Sequence, residues 1–370
     1  MLNIPISIML LPFCVIGMAF YLCCRMWKGL GVKPAVIWAV ISFSVVTWGL
    51  TVPRIFEINT PVLLAIFGYI YMPFTVYSFM LLLVIDIIGI ILRFTLRTRI
   101  NSKYKLLFVF ILTSAIFCYG YFEAKDIKTI EISIQTEKLP VDTDSIRIVQ
   151  ISDLHIGRTF DSKKLVKTME ITSAASPDLI VLTGDIVEAI LQDDEYFIKM
   201  LDSVKTPLGR FAVTGNHENY AGLEQAVDFI RRAGYVVLRS EWYDLGALVI
   251  AGVDDPGRSL VSNQSDVFNL LSSLPDDMRK KFVLFLKHQP HVYEDTTGLF
   301  DLQLSGHTHG GQIWPFGYVV GFVNGASQGL SVHKDSLLYV SNGTGYWGPP
   351  VRFLTPPEVI IINVIRKKQA

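Results

Sequence analysis

Ser305-Gly306-His307-Thr308-His309-Gly310-Gly311-Gln312 follows a short apolar run, Leu302-Gln303-Leu304, and decides how the rest of the chain is read. Side chains at i and i+2 of a strand share a face. A strand ending in Gly-His-x-His therefore throws both imidazoles to one side. The flanking glycines remove the bulk that would keep a metal or phosphate away from the backbone. Alone, the stretch hints at a metal site. Four upstream clusters, each at the end of an apolar run, look like its partners.

The first run, residues 146–151, leads into Ser152-Asp153-Leu154-His155. The second, 179–182, leads into Thr183-Gly184-Asp185-Ile186-Val187-Glu188. The third, 211–213, leads into Thr214-Gly215-Asn216-His217-Glu218, and the fourth, 282–286, into Lys287-His288-Gln289-Pro290. Residues 129–135 alternate apolar and polar, the pattern of a half-buried strand. Helical patterns occupy 162–175, 193–204 and 222–233, the last stopped by Gly234. Strands alternating with helices predict an α/β layered core, in which ligands gather where strands end. Each cluster also has a plain reading: Gly-Asp and Gly-Asn-His as turns, His288 as a packed histidine. Together, however, the five offer only Asp, Asn and His, which a hard-to-borderline divalent metal accepts.

A chain of 370 residues predicts two units. Its 51% hydrophobic content points to membrane segments. A net charge of zero hides an asymmetry. Residues 1–122 hold nine Lys/Arg against two Asp/Glu, +7, which leaves −7 for the remainder. All seven histidines lie between His155 and His333. No basic patch with interleaved aromatics suggests nucleic acid. The four cysteines (Cys14, Cys23, Cys24, Cys118) fall in the first third, so the second part has no disulfide framework or Cys-based zinc site.

Four apolar stretches fill that first third: 4–24, 34–52, 61–92 and 106–121. A span needs about 20 residues. The third is too long for one span and too short for two. It predicts one span over 73–92, set off by Pro73, after an interfacial or re-entrant piece. Arg25, Lys28 and Lys33 follow the first stretch, and Arg93, Arg97, Arg99, Lys103 and Lys105 follow the third. The other connections are nearly neutral. The positive-inside rule then puts everything after Tyr121 outside the cytoplasm. Asp86, inside the third stretch, is a functional candidate by its position, and its plainer reading is a partner for a polar group on a neighbouring helix.

The ordered set Asp-x-His, Gly-Asp, Gly-Asn-His-Glu, His, Gly-His-x-His resembles the calcineurin-like binuclear metallophosphoesterases, in particular a membrane-anchored bacterial branch. The tail, with 338–343, Arg352, Pro357 and Glu358, looks similar too. The resemblance implies a four-layer α/β/β/α sandwich with two mixed sheets over residues 126–370. An all-α transmembrane anchor of about four helices, 1–125, precedes it. The resemblance also implies two divalent metals, with Mn, Fe or Zn suiting the mixed N/O donors. Asp153, His155 and His309 would hold the first, Asn216, His288 and His307 the second, and Asp185 would bridge them. His217 would act as general acid, oriented by Glu218. A phosphoester or pyrophosphate bond would then be cleaved through a metal-bridging hydroxide.

Other polar residues carry weaker expectations. Glu188 completes Gly-Asp-x-x-Glu and is either a loop contact near the site or a surface carboxylate. His291 competes with His288, which follows its strand directly. His333 is placed in an exposed turn, and Asp254 and Asp255 in a loop near the site. Aromatics at Trp314, Phe316, Tyr318, Phe322, Tyr346 and Trp347 suggest an apolar wall for a lipid tail or a membrane contact, or plain loop packing. A domain tethered at a bilayer meets lipid phosphates at high effective concentration. The expected partners are therefore the bilayer and a phospholipid or glycolipid phosphoester, for an integral membrane protein with its catalytic domain outside the cytoplasm. Two rivals are a phosphatase or phosphodiesterase for soluble nucleotides or phosphomonoesters, and a sensing or transport protein with a regulatory metal-binding domain.

Overall fold

The computed structural model describes residues 6–30, 38, 41–43, 45, 62–157, 160–189, 194–257 and 263–367. The chain divides into two compact units, Met1–Tyr119 and Gly120–Ala370. The second unit includes the last turn of a helix, because Arg352 N–H donates to Gly120 O (2.9 Å) and Leu354 N–H to Glu123 Oε2 (2.8 Å).

The helices of the first part with bounds among the described residues are α1 (Ile6–Leu30), α2 (Val62–Thr95) and α3 (Ser102–Glu123). Among the described residues, two stretches, Phe67–Thr95 and Ser102–Glu123, are long and apolar enough to cross a membrane. Most of the apolar stretch 34–52 lies outside the described residues. The expected break before Pro73 is not there: α2 runs unbroken for 34 residues with Pro73 inside it. Proline removes one backbone donor. Among apolar neighbours, unwinding a turn would orphan several more, and each orphan costs more there than in water. Asp86 sits in an ion-pair cluster. It accepts from Tyr21 Oη (2.7 Å) and Lys105 Nζ (2.8 Å) and is also paired with Arg25. A carboxylate in this setting is neutralised by partners, in line with its plainer reading.

In the second unit two six-stranded sheets form. The first has order β1-β12-β2-β3-β4-β5 and the second β10-β11-β9-β8-β7-β6. Their ranges are β1 Lys128–Thr136, β2 Ser145–Ile151, β3 Leu179–Thr183, β4 Arg210–Val213, β5 Val236–Val237, β6 Glu241–Asp244, β7 Leu248–Gly252, β8 Phe282–Leu286, β9 Leu302–Ser305, β10 Gly329–His333, β11 Ser336–Val340 and β12 Glu358–Arg366. Both sheets are mixed. β2 to β5 run parallel and β12 antiparallel to β2, while β7, β8, β9 and β11 run parallel between antiparallel edges.

The central strands are apolar throughout because both of their faces are covered. On β3, Leu179 and Val181 face the second sheet, whereas Ile180 and Leu182 face the helices Ser162–Ala174 and Leu223–Arg232. On β8, Phe282, Leu284 and Leu286 face the first sheet, whereas Val283 and Phe285 meet the helix Gln264–Ser272. The result is helix, sheet, sheet, helix, each buried aliphatic side chain contributing about 1.5–3 kcal/mol. The register aligns the strand ends. Ile151 pairs with Leu182 and Thr183 with Val213 in the first sheet, Leu286 with Leu304 and Ser305 with Val340 in the second. All the polar clusters predicted at strand ends therefore open on one edge of the sandwich.

Candidate metal centre

The backbone bends sharply where the strands end. Asp153, His155, Asp185, His307 and His309 all adopt positive φ, from 49° to 71°. Non-glycine residues avoid this region, and each such residue costs on the order of 1–3 kcal/mol unless its surroundings hold it. Here the hold comes from side chains and close backbone contacts. Glu218, fully buried, accepts from Gly215 N–H (2.6 Å), Asp185 N–H (2.9 Å) and Val187 N–H (2.8 Å), which ties the β3 and β4 loops together. Asp153 accepts from Ser152 Oγ (2.5 Å) and from His307 N–H (3.0 Å), which ties β2 to β9. A Cβ on Gly215 would lie 2.2 Å from Asp185 Oδ1, and one on Gly306 would lie 2.0 Å from Ser152 Oγ. No other residue type fits at these two positions.

Three groups of donor atoms result, each with its atoms within 4.8 Å of one another: Asp153, His155, His309; His155, Asp185, His217; and Asp185, His288, His307. His155 Nε2 faces His309 Nε2 at 3.0 Å, and His309 Nε2 is 3.5 Å from Asp153 Oδ1. His288 Nε2 lies 3.2 Å from both Asp185 Oδ2 and His307 Nδ1, while its own Nδ1 donates to Thr183 O (2.8 Å). Asn216, which precedes His217 in the chain, is buried, and its Oδ1 has no hydrogen-bond partner among the described residues. His217 N–H donates to Asp185 Oδ1 (2.8 Å), and His217 Nε2 lies 4.0 Å from Asp185 Oδ2.

The surrounding groups set the charges. Burial pushes His307 down to about 3, assisted by His288, and burial with His155 and Arg352 holds His309 well below its ordinary range. Both rings therefore offer lone pairs at neutral pH. Burial opposes ionisation of Asp185, yet His288 and His217 hold its carboxyl well below the usual range. Glu188 is half-buried and bridges two rings. Its Oε2 accepts from His155 Nδ1 (2.7 Å) and His217 Nδ1 (2.6 Å). Burial works against its charge too, but those two hydrogen bonds hold it well below the carboxylate range. With both Nδ1–H groups engaged, both Nε2 atoms turn toward the centre. The carboxylate that orients His217 is thus that of Glu188, and Glu218 shapes the loops instead. Arg352 is fully buried, and only the fold brings it to the site; the sequence marks it as part of the tail and gives it no role. Its guanidinium donates to Gly345 O (2.7 Å) and Thr355 O (3.1 Å) and stands 3.1 Å from His309 Nδ1.

The other candidates join none of the three groups, though Asp254 and Asp255 lie in a loop beside the site, as expected. His291 gives its carbonyl to Lys287 Nζ (2.9 Å) and joins none of the three groups. His333 ends β10, half-buried against Ser331 Oγ (3.1 Å), so it is not in an exposed turn. Asp254 is held by Arg239 (2.7 Å) and Thr214 (2.8 Å), and Asp255 by Gln289 (2.9 Å).

The family profile described as Calcineurin-like phosphoesterase matches residues 146–311. An uncharacterized metallophosphoesterase of Aquifex aeolicus is 36% identical over 66% of this chain and 95% of its own length. The chain belongs to the calcineurin-like phosphoesterases. A Bacillus subtilis metallophosphoesterase, also uncharacterized, is 32% identical over 66% of this chain and 89% of its own. A transmembrane protein with metallophosphoesterase domain from Danio rerio is 28% identical over 70% of this chain, and the match spans 62% of that longer protein. This metallophosphoesterase is therefore a metal-dependent phosphoester hydrolase of a family that uses two divalent metals. Its residues fit such a pair. The donors are His, Asp and Asn, the rings of His307 and His309 are neutral, imidazole nitrogens converge in pairs, and the orphaned Asn216 Oδ1 calls for a cation.

Proposed function

We propose that Asp153, His155 and His309 hold one divalent metal, that Asn216, His288 and His307 hold the second, and that Asp185 bridges them. The observation that carries this reading is the position of Asp185: its Oδ2 lies 3.2 Å from His288 Nε2 and 3.8 Å from His155 Nε2, between the two outer groups. Bound there, the metals would polarise a phosphoryl group and lower the pKa of coordinated water. His217 stands at the rim as general acid. Its Nε2 is the histidine nitrogen farthest from Asp185 Oδ2 among those paired with it, and its Nδ1–H is anchored on Glu188. A proton held at Nε2 is placed for the leaving alkoxide. Glu188 fixes both this ring and the metal-facing ring of His155.

We read residues 126–370 as the catalytic domain and 1–125 as a helical anchor in the cell membrane, with the site outside the cytoplasm and a phospholipid or glycolipid phosphoester as substrate. The two membrane-length helices and the membrane name of the Danio rerio relative support the anchor. The distribution of Lys and Arg supports the orientation. A Mn-loaded, detergent-solubilised protein tested on bis-p-nitrophenyl phosphate, nucleotides and a panel of lipid phosphates decides the substrate. Turnover of the model diester and of nucleotides without any lipid phosphate removes the lipid reading. Absence of bound metal removes the ligand assignment.

A further inference from the structure

The twenty residues from Ile313 to Val332 contain no Asp, Glu, Lys, Arg or His. Within them lies the helix Phe316–Asn324, and it packs against the rule for a soluble surface helix. Its glycines face inward. A Cβ on Gly317 would lie 2.6 Å from Gly310 O, and one on Gly321 would lie 3.5 Å from Ala326 O and Ser327 Oγ. The bulky side chains face outward at i, i+1, i+4 and i+5: Tyr318 is 76% exposed, Val319 59%, Phe322 90% and Val323 71%. No residue of this helix is buried. A soluble amphipathic helix turns its apolar stripe to the core. This one hangs from a glycine seam and presents the stripe to its surroundings, seven residues past a proposed metal ligand.

The patch continues to the foot of a membrane-length helix. Trp314 N–H donates to Phe353 O (2.9 Å). On either side of Phe353, Arg352 N–H donates to Gly120 O and Leu354 N–H to Glu123 Oε2. One short ribbon therefore joins the start of the apolar helix to the last turn of α3, where Tyr121 and Phe122 are exposed as well. Aromatic side chains at such an edge suit the headgroup level of a bilayer. We propose that the outward face of Phe316–Asn324 lies in the membrane interface, in the manner of a monotopic helix. It would hold the metal centre against lipid headgroups. The proposal rests on the reading of the apolar helices as membrane spans and adds a second, catalytic-side contact to it. The occupant is lipid because the surface that the chain's own span would lead to is a bilayer, and the patch has no charge by which to register a protein partner.

The test uses the full chain with its four cysteines replaced by alanine, reconstituted in phosphatidylethanolamine/phosphatidylglycerol vesicles. Spin labels are placed at Tyr318→Cys, Phe322→Cys, Val141→Cys and Ile88→Cys. The first two are expected to collide more with oxygen than with a nickel chelate, at a depth of about 5–10 Å. The label at Val141, on the exposed surface of the second unit, should show the reverse. Labels at 318 and 322 as open to the chelate as that at 141 overturn the proposal. The label at Ile88 then tells which reading has failed: hydrocarbon-deep, the spans stand; water-exposed, both fall. Dipolar broadening between labels at 322 on two chains assigns the face to a second copy and also overturns it. Should the cysteine-free chain not fold, benzoylphenylalanine at position 322 in the native background crosslinks to lipid if the proposal holds and to a second chain if it does not.

Discussion

Glu188→Gln isolates a charge without removing an acceptor. Glu188 Oε2 receives Nδ1–H from His155 at 2.7 Å and from His217 at 2.6 Å, and the amide oxygen of glutamine can occupy the same place. What is lost is the negative charge that makes both hydrogen bonds strong and both rings better electron donors. Partners of metal-bound histidines are typically worth about 10–100-fold in activity or affinity. A tenfold change is about 1.4 kcal/mol, so the loss in activation free energy is about 1.4–2.7 kcal/mol. The general-acid contribution itself, about 10²–10⁴, sets the upper bound. Glu188→Leu, which removes the acceptor as well, should fall further toward that bound. The assay is kcat on bis-p-nitrophenyl phosphate with Mn-loaded protein, together with metal content per chain. A Glu188→Gln protein with wild-type kcat and wild-type metal content would refute the bridging role.

His217→Ala should lower turnover by about 10²–10⁴ while leaving both metals in place, and equal loss of metal would make it a ligand instead. Gly215→Ala and Gly306→Ala drive a methyl into Asp185 and Ser152, so each should destabilise the fold by at least the about 1–3 kcal/mol of an overpacked core and reduce metal binding, read by thermal melting and metal analysis. Glu188 gives a pH signature. Its folded pKa is depressed, so its stabilisation is full above the unfolded value of about 4.3 and is lost as pH falls toward the folded one. In metal-stripped protein, the melting gap between wild type and Glu188→Gln should therefore be present at pH 7 and shrink below about pH 4. Asp86→Ala leaves Arg25 and Lys105 facing each other without their shared carboxylate. It should cost about 3–5 kcal/mol of stability in detergent, with kcat on a soluble diester unchanged.

The strand-end clusters are legible in the sequence because each is local: a strand pattern and the few residues after it name Asp153, Asp185, Asn216 and His307 without knowledge of any partner. The layered α/β core follows from the same alternation. What crosses the fold is not legible. Nothing in Gly-Asp-x-x-Glu tells that Glu188 reaches back 33 residues to His155 and forward to His217 at once. Arg352 stands 43 residues from His309 in sequence and lies against it only because the segment after β11 folds under the Gly310 loop. The helix Phe316–Asn324 reads in sequence as an aromatic loop or wall, since its regularity depends on glycines that propensity counts as breakers. The same local habit puts a break at Pro73, where apolar surroundings keep α2 whole.

The donor atoms come from five loops on two sheets, and Asp153 and His307 are 154 residues apart. Short-range metal motifs can gather an ion early and let it guide the chain. Here an ion meeting the nascent chain finds at most two neighbouring donors, such as Asp153 and His155. Loop-closure entropy sets against holding the remaining donors before both sheets have formed and docked. On the proposed ligand set, metal capture would follow folding rather than seed it. Bound ions would then report on a finished sandwich, and a chain cut before Gly306 would lack one proposed histidine of each site.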